Sequence, residues 1–413
     1  MRMADLSPEP DANRAQTKAA AKAARRIARL EAALATARQD VERRSARLGR
    51  AKAKAWRLEV ALAEVAAIEP DPGTNGALPA GARLSSRTSR RTAPRSQPHV
   101  AASADAGSNS VHLFVAIVSG HRLEPIYDEA AFLGLGAAVD AQGRLGTAKR
   151  EQLSSTLARF AGIARDLGAD SITFVATEPL RRADDARKAG DEVRAASGVP
   201  LEILTQDEEA LLTLIGVTHG REPQADLGVI DIGGGSSELV VIGTDGRPKT
   251  HGVRLGSARL TTSVLTQDPP TDLEVEALRD TARRRVLALP DADVGRLIAV
   301  GGTATNVVRL VPAAALDRVL TRGRLDAAMA ALTTEPAAYV ALHHAVNPLR
   351  ARVLPAGVAI LEAFLERYRV RRLRVVDTGI REGAVLAASR VGASWRDDLE
   401  ELARGWRLAG SGR

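Results

Sequence analysis

A glycine-rich stretch between two apolar runs holds the densest group of residues that can do chemistry. It reads Asp231-Ile-Gly-Gly-Gly-Ser-Ser-Glu238 and is flanked by Val229-Ile230 and Leu239-Val240-Val241. Three successive glycines allow the backbone to take positive φ angles and let an anion approach its N–H groups. The pattern predicts a strand, a tight turn and a second strand, with carboxylates beside a phosphate-binding turn. A purely structural glycine-rich hairpin is the competing interpretation.

A second stretch repeats this arrangement 126 positions earlier in the chain. Asp105-Ala-Gly-Ser-Asn-Ser110 also lies between apolar runs, and it also combines a carboxylate, a glycine and hydroxyl groups. Two such hairpins indicate an internal duplication of one α/β unit. Facing turns from two duplicated units would form a cleft that holds phosphate from both sides.

The segments around the hairpins alternate between strand and helix patterns. We predict strands at 171–177, 201–204, 297–300 and 373–376, and helices at 145–167, 186–197, 272–288, 325–332, 352–369 and 394–406. Such alternation is typical of an α/β fold with mixed sheets. Another helix opens at Asp207-Glu208-Glu209, where the helix dipole favours acids in the first turn. A dipole role alone is therefore the structural interpretation of Glu209.

The composition excludes several classes of protein. The chain has 413 residues, enough for two or three domains, and it has no cysteine, which excludes disulfides and thiolate metal sites. No apolar run reaches the length of a membrane span, and the polar N-terminus has no apolar core of a signal peptide. We therefore expect a cytoplasmic protein with no membrane partner.

Positive charge is concentrated near the N-terminus. Residues 1–98 contain 20 Lys and Arg against 10 Asp and Glu, whereas the rest of the chain contains 38 against 40. Residues 69–98 are rich in Pro, Gly, Ser and Arg and predict a disordered basic linker. This extension could contact polyanions through charge alone, and we expect no specific nucleic-acid partner.

Residues 14–67 contain no proline and place apolar residues in heptads. This pattern predicts a long helix with coiled-coil character. A solvated single helix and a helix that folds back on the main body are the competing interpretations. We expect the protein to form a homodimer.

Seven motifs, taken in order, resemble those of the exopolyphosphatase/guanosine pentaphosphatase (Ppx/GppA) phosphatases. They are Asp105-Ala-Gly-Ser-Asn-Ser110, Ala176-Thr177 with Leu180-Arg181, Glu208-Glu209-Ala210, Asp231-Ile-Gly-Gly-Gly-Ser-Ser-Glu238, Leu255-Gly256 with Arg259-Leu260, Gly301-Gly302-Thr303, and Asp377 with Gly379 and Arg381-Glu382-Gly383. Each motif is weak alone, but their order and separations make a strong signal that covers about 99–392.

The resemblance implies two actin-like, ribonuclease H-like α/β domains with mixed sheets around an interdomain cleft. It divides the chain into an N-terminal helical extension (1–68), a linker (69–98), domain I (99–225), domain II (226–392) and a C-terminal tail (393–413). The last helix of domain II is expected to pack back on domain I. The length matches the short form of the family.

The resemblance also implies a role for each candidate site residue. Glu209 would be the base that activates the attacking water. Asp231 and Glu238 would bind a metal ion, Mg²⁺ or Mn²⁺, or position that water, and Asp105 would be a further metal ligand. Arg181 would contact the phosphate chain. The turns would hold phosphate through Gly107, Ser108, Asn109, Ser110, Gly233, Gly234, Gly235 and Ser236.

These roles predict a phosphohydrolase that releases terminal phosphate from inorganic polyphosphate. Guanosine pentaphosphate (pppGpp) is the close alternative substrate. Two competing functions are a nucleotide-dependent kinase of the same superfamily and a non-catalytic protein that binds polyphosphate or (p)ppGpp. Two positions depart from the family pattern: Glu178 stands where small residues are common, and Leu211 stands where an arginine often follows Glu-Glu-Ala.

Overall fold

Two mixed β-sheets form the frame of the molecule. The computed structural model describes residues 47–51, 53–55, 58 and 98–406. The strands of this part are β1 (His99–Ala106), β2 (Ser110–Ser119), β3 (Arg122–Phe132), β4 (Ser171–Ala176), β5 (Leu201–Ile203), β6 (Leu227–Ile232), β7 (Ser237–Ile242), β8 (Pro248–Val253), β9 (Arg296–Val300), β10 (Val319–Leu320) and β11 (Leu373–Val375). The first sheet has the order β3-β2-β1-β4-β5, and the second has the order β10-β11-β9-β6-β7-β8.

The two sheets repeat one topology, as the predicted duplication requires. β1 pairs antiparallel with β2 and parallel with β4. β6 pairs antiparallel with β7 and parallel with β9. The register of the two hairpins is also the same: Asp105 is paired with His112 in the first hairpin, and Asp231 is paired with Glu238 at the equivalent position of the second. Each hairpin therefore delivers its turn to the same edge of its sheet.

Helices cover the sheets and connect their strands. The α-helices of the described part are Leu135–Gln142, Gly146–Asp166, Glu178–Arg182, Ala186–Ser197, Gln206–Thr218, Ser257–Val264, Asp272–Leu287, Gly301–Leu310, Pro312–Asp317, Arg322–Thr334, Ala337–His343, Pro348–Ala351, Leu354–Arg367, Ile380–Val391 and Leu399–Ala403. None of the helices in this part is long and apolar enough to cross a membrane.

Two of the predicted helices differ in the structure. The helix predicted at 352–369 spans Leu354–Arg367, and a separate short helix, Pro348–Ala351, precedes it. The predicted helix at 394–406 is reduced to Leu399–Ala403, preceded by a 3₁₀ turn. In both places the prediction missed a helix boundary, which is the feature that local sequence patterns specify least well.

Three hydrophobic cores are present in the described part of the chain. One lies within each half, and a third lies around the helices Gln206–Thr218 and Ile380–Val391 and includes strand residues from both sheets. Fully buried side chains such as Phe160 and Phe364 each contribute about 1.5–3 kcal/mol to stability. Leu211, at the position where the family often has arginine, is buried in the third core. The third core therefore joins the two halves below the hairpins.

The helix Ile380–Val391 packs against β1, β2 and β4 of the first sheet. It crosses the helix Gln206–Thr218 through glycines: a Cβ on Gly383 would lie 1.9 Å from the carbonyl oxygen of Leu212. The buried Ser103 hydroxyl donates a hydrogen bond to the backbone oxygen of Arg381 at 2.9 Å. The helix Ile380–Val391 thus lies on the first half, although it follows the second half in sequence.

The described residues of the N-terminal extension are helical. Ala53 belongs to the core of the first half, and a Cβ on Gly49 would lie 2.9 Å from the Ile126 carbonyl oxygen. The heptad positions Leu48 and Leu58 are exposed. This short portion therefore packs on the main body, while its heptad side chains face outward. The rest of the coiled-coil prediction and the linker prediction lie outside the described residues.

Candidate active site

A cavity of about 360 Å³ is bounded in part by both hairpin turns. It is lined by the turns at 107–110 and 233–236, by Glu209, and by the residues that follow β9 and β11. Parallel strands in an α/β sheet bring their carboxyl ends to one edge, which is where ligands bind in such folds. The predicted cleft between duplicated units is therefore present.

Both turns are closed in the same way. The N–H of Gly107 donates to the carbonyl of Ser110 at 3.1 Å, and the N–H of Gly233 donates to the carbonyl of Ser236 at 3.0 Å. The four residues occupy equivalent positions of the duplicated hairpins. The duplication therefore preserves the turn geometry even though one turn contains three glycines and the other only one.

The carbonyl oxygens of both turns are tied to the elements that follow each hairpin. The glycine carbonyls at 233–235 accept hydrogen bonds of 2.9 to 3.0 Å from Ser257 and Arg259. The carbonyls at 108–109 accept from backbone N–H groups within 133–136. In the described part of the chain, the N–H groups in the middle of both turns have no protein acceptor. They remain available to an anion.

The glycines of the second turn are required by close contacts and not by backbone angles. None of Gly233, Gly234 and Gly235 has a positive φ. The prediction that these glycines serve to allow positive φ angles is therefore wrong. Instead, a Cβ on Gly234 would lie 2.9 Å from Asn109 Nδ2, and one on Gly235 would lie 2.4 Å from Glu178 Oε2. The turns approach each other so closely that no side chain fits between them.

Three carboxylates of the hairpins, the buried Glu238 and the half-buried Asp105 and Asp231, have raised pKa values. Burial raises the pKa of Asp105 to about 7, and the charge of Asp231 adds to the effect. Burial raises the pKa of Asp231 to about 6. Burial also raises the pKa of Glu238 to about 7, with Ser236 and Arg181 opposing the shift. The site therefore concentrates negative charge that lacks full compensation within the protein.

Glu209 lies in the first turn of the helix Gln206–Thr218 and lines the cavity. The helix begins at Thr205, whose hydroxyl caps it in a capping box with Glu208. Burial raises the pKa of Glu209 well above its ordinary value, and Glu238 raises it further, whereas Arg181 lowers it. Glu208 instead pairs with Arg396 on the outer side, so adjacent acids have separate roles.

Arg181 lies behind the carboxylates. Its Nη1 donates to Glu209 Oε2 at 2.7 Å and to the Leu204 carbonyl at 2.8 Å, and its Nη2 is 3.9 Å from Glu238 Oε1. That Nη2 is buried and has no hydrogen-bond partner in the described part of the chain. Arg181 does not line the cavity among the described residues. Its contact with the phosphate chain stays a prediction.

Several cavity residues were missed by sequence reasoning, and two of them, Arg350 and His112, contact each other. Arg350 reaches across from the second half, and its Nη2 lies 3.1 Å from Ser110 Oγ and 3.3 Å from His112 Nε2. Burial, followed by Arg381 and Arg350, lowers the pKa of His112 to about 3, so the imidazole is neutral. His112 occupies the position in the first hairpin that Glu238 occupies in the second, so the duplication contained a signal for it. No sequence pattern pointed to Arg350.

A further ion cluster fixes the outer side of the second turn. Arg259 donates to the Gly235 carbonyl at 2.9 Å and to Glu178 Oε1 at 2.6 Å. Glu178 is buried and also binds Arg182. This explains how the chain accommodates Glu178 where small residues are common: its charge is paired with two arginines.

The donor set fits a hard divalent cation. Among the described residues, no group of three or more His, Cys, Asp or Glu side chains has the spacing of a metal site. Asp105 and Asp231 nevertheless repel each other, and Asp105 Oδ1 is buried without a hydrogen-bond partner. Mg²⁺ is usually held by one or two carboxylates, with waters and substrate phosphates completing its shell. The two aspartates suit that kind of site.

The fold and the site define a two-domain α/β protein of the actin-like class, with one hairpin of each domain lining the cavity. Residues 113–390 match the model of the Ppx/GppA phosphatase family, and the chain belongs to this family. Solved structures that are similar to this chain include members of the same family. The crystal structure of the Aquifex aeolicus Ppx/GppA family member has a TM-score of 0.62 and 27% identity, over 70% of this chain and 97% of that one.

Curated relatives carry two kinds of name. Exopolyphosphatase 1 of Mycobacterium tuberculosis is 31% identical over 299 residues, which are 68% of this chain and 86% of that protein. A guanosine-5'-triphosphate,3'-diphosphate pyrophosphatase of Vibrio campbellii is 24% identical over 69% of this chain and 58% of that protein. The family and the two-domain actin-like fold expected from the motifs are therefore confirmed.

Proposed function

We propose that the protein hydrolyses terminal phosphoanhydride bonds in the cavity, with inorganic polyphosphate as substrate and pppGpp as the alternative. One observation carries the proposal: the buried carboxylate of Glu209 lies in a cavity that is also lined by the two hairpin turns, 107–110 and 233–236. The relatives' names include both substrates. Phosphoryl transfer needs positioning and charge stabilisation more than covalent catalysis, and the cavity supplies both.

Glu209 is proposed to act as the general base. Its raised pKa favours proton uptake from a water held against its carboxylate. As that water attacks in line, a new P–O bond forms to the water oxygen and the bridging P–O bond breaks. The water proton passes to Glu209, and the bond's electron pair leaves with the shortened chain as a phosphate oxygen. Arg181 keeps the carboxylate oriented and limits the rise in its pKa.

The turns and Arg350 are proposed to hold the terminal phosphate. The N–H groups in the middle of both turns are available to donate hydrogen bonds to an anion, and the Arg350 guanidinium lines the same cavity. Asp105 and Asp231 would hold Mg²⁺ or Mn²⁺, with Glu238 beside Asp231. When bound, the metal ion would offset charge on the phosphate oxygens. Without a cation, the two aspartates would repel the substrate.

A phosphate-release assay tests the function. The full chain is incubated with Mg²⁺ and, separately, with long polyphosphate, tripolyphosphate and pppGpp. Release of orthophosphate from one or more of these, accompanied by a chain or nucleotide shortened by one phosphate, supports the proposal. Tight binding without release would instead favour a non-catalytic sensor.

The expected homodimer is a separate proposal, motivated by the exposed heptad residues Leu48 and Leu58.

A further inference from the structure

A second concave surface lies on domain II, outside the active-site cavity. It encloses about 780 Å³ and includes Arg296, Ile298, Val319 and residues 369–372 in its lining. Five arginines contribute to this lining, and we call the surface the arginine groove: Arg296, Arg369, Arg371, Arg372 and Arg374. No acidic side chain lines it among the described residues. The body of the chain has slightly more acids than bases, so this concentration of positive charge is local.

Four of these arginines make no polar side-chain contact within the described part of the chain. Arg369, Arg371, Arg372 and Arg374 are exposed. In the described part of the chain, none of them forms a side-chain hydrogen bond or an ion pair. Arg296 differs, since its Nη2 lies 2.9 Å from Asp226 Oδ1. The groove therefore presents four uncompensated guanidinium groups within six consecutive positions.

The strand register places one of the four on the floor of the groove. Arg374 is paired with Val319 on one side and with Ile298 on the other. Directly paired residues of neighbouring strands share a face of the sheet. The Arg374 side chain thus emerges between two partly buried apolar residues, which form a flat base beneath the charged groups.

Arg369 occupies a position that the backbone would give to glycine. The helix Leu354–Arg367 ends with hydrogen bonds from Val370 N to Leu365 O and from Arg369 N to Glu366 O, both 3.2 Å long. Arg369 has a φ of 53°, the left-handed conformation in which glycine is strongly preferred at the end of a helix. The backbone therefore gives no reason for an arginine here, and the exposed side chain is available to a ligand in the groove.

The groove and the active site lie at opposite ends of the same strands. β6 begins at Leu227, which lines the groove, and reaches Asp231, which lines the cavity. β9 likewise begins at Arg296 in the groove and leads to Gly301 in the cavity. Four or five residues of strand correspond to about 15 Å. The arginine groove is therefore distinct from the site of hydrolysis.

We propose that the arginine groove binds a segment of long linear polyphosphate, away from the chain end that is hydrolysed. The choice of ligand rests on the proposed function. Arginine pairs with phosphate through two parallel N–H donors, and a row of such groups suits a polymer with one charge in every unit. Occupying the groove as well as the cavity would make the protein prefer long chains over short ones, because the second contact acts at high effective concentration.

The test measures binding without turnover in the full chain that carries Glu209→Gln. Titrations with long polyphosphate and with tripolyphosphate are made at several salt concentrations. One variant combines Arg369→Gly with Arg371→Gln, Arg372→Gln and Arg374→Gln. A matched control replaces four exposed, unpaired arginines from other surfaces with Gln: Arg122, Arg187, Arg194 and Arg285. Thermal unfolding of each variant checks that the fold is intact. Arg369→Gly alone is a second variant, in which glycine takes the left-handed backbone conformation more readily than arginine does.

We expect the groove variant to bind long polyphosphate about tenfold or more weakly at low salt. Its affinity should also depend less on salt: the slope of log binding constant against log salt concentration should become shallower by roughly 0.7 for each lost phosphate contact. The control variant should change that affinity by less than about twofold. Equal losses in both variants, or equal losses for tripolyphosphate and the long chain, would overturn the proposal. So would a groove that binds single-stranded DNA more tightly than polyphosphate. Failure of the wild-type chain to release phosphate would contradict the proposed function without changing this binding result.

Discussion

The guanidinium of Arg181 holds the carboxylate of Glu209, with Nη1 2.7 Å from Oε2. The same Nη1 donates to the Leu204 carbonyl, so the cation is anchored to the backbone at the start of the helix that carries Glu209. The interaction lowers the pKa of Glu209 against the larger effect of burial. Arg181 thereby acts as a positioning residue for the proposed base.

Replacing Arg181 with Gln tests this role. Without the cation, the pKa of Glu209 rises further, and a base is active only when deprotonated. The acidic limb of the kcat/KM profile should therefore move to higher pH, and activity near neutral pH should fall by about tenfold to hundredfold. Arg181→Lys should restore part of the loss. A raised KM with an unshifted pH profile would instead indicate that Arg181 binds the phosphate chain.

Replacing Glu209 with Gln should stop the chemistry and spare binding. The amide has the same shape but takes no proton, so turnover should fall by roughly 10²- to 10⁴-fold, while substrate affinity changes little. Phosphate release and equilibrium binding measure the two quantities. Glu208→Gln is the matched control, because Glu208 caps the helix and pairs with Arg396. It should cost about 1 kcal/mol of stability and little activity. Equal effects of the two variants would contradict the assignment.

Asp105→Asn should stabilise the metal-free protein above neutral pH. Asp105 has its pKa raised from 3.8 to about 7 in the folded state, so the folded protein holds this proton more tightly than the unfolded chain does. Its ionised form therefore costs stability above pH 7, and the cost disappears as the pH falls toward 4. In the presence of a chelator, the free energy of unfolding at pH 8 should rise by about 2 kcal/mol. Activity should fall, and stabilisation by Mg²⁺ should shrink. An unchanged response to Mg²⁺ would exclude Asp105 as a ligand.

Gly383→Ala should disrupt the crossing of the two helices that join the domains. The added Cβ would lie 1.9 Å from the Leu212 carbonyl oxygen, and neither backbone can move without repacking the core. We expect a loss of about 2–4 kcal/mol in the free energy of unfolding. Gly190→Ala is the control, since Gly190 lies in the helix Ala186–Ser197 and an added Cβ would meet no atom of another described element within 4 Å. That change should add up to about 1 kcal/mol. Similar effects of the two substitutions would contradict the packing argument.

Much of the fold was predictable because its signals are local. The alternation of apolar and helical segments specified an α/β architecture, and the helix at 186–197 was predicted to the residue. The hairpin turns also followed from their own residues, since glycine and hydroxyl side chains favour turns wherever they occur. Their repetition predicted the matching sheets.

The arrangement of the active site depended on contacts across long stretches of chain. Glu209 was placed in a helical first turn by the sequence, but its pairing with Arg181 required the fold to bring the Arg181 side chain to the start of the helix Gln206–Thr218. Arg350 enters the cavity from a short helix of the other domain, about 240 residues from Ser110. The arginine groove likewise forms only where four strands and a helix end meet.

By itself, the sequence determined the family, the duplicated hairpins and the residues that bring carboxylates and free N–H groups to one place. These follow from local backbone preferences and from the order of motifs along the chain. Only the tertiary structure decided that the second turn needs its glycines for close contact, that Arg181 faces the carboxylates, and that His112 is a neutral partner of Arg350. The physical reason is that packing and burial set the distances between side chains, and neither is encoded in any single stretch of sequence.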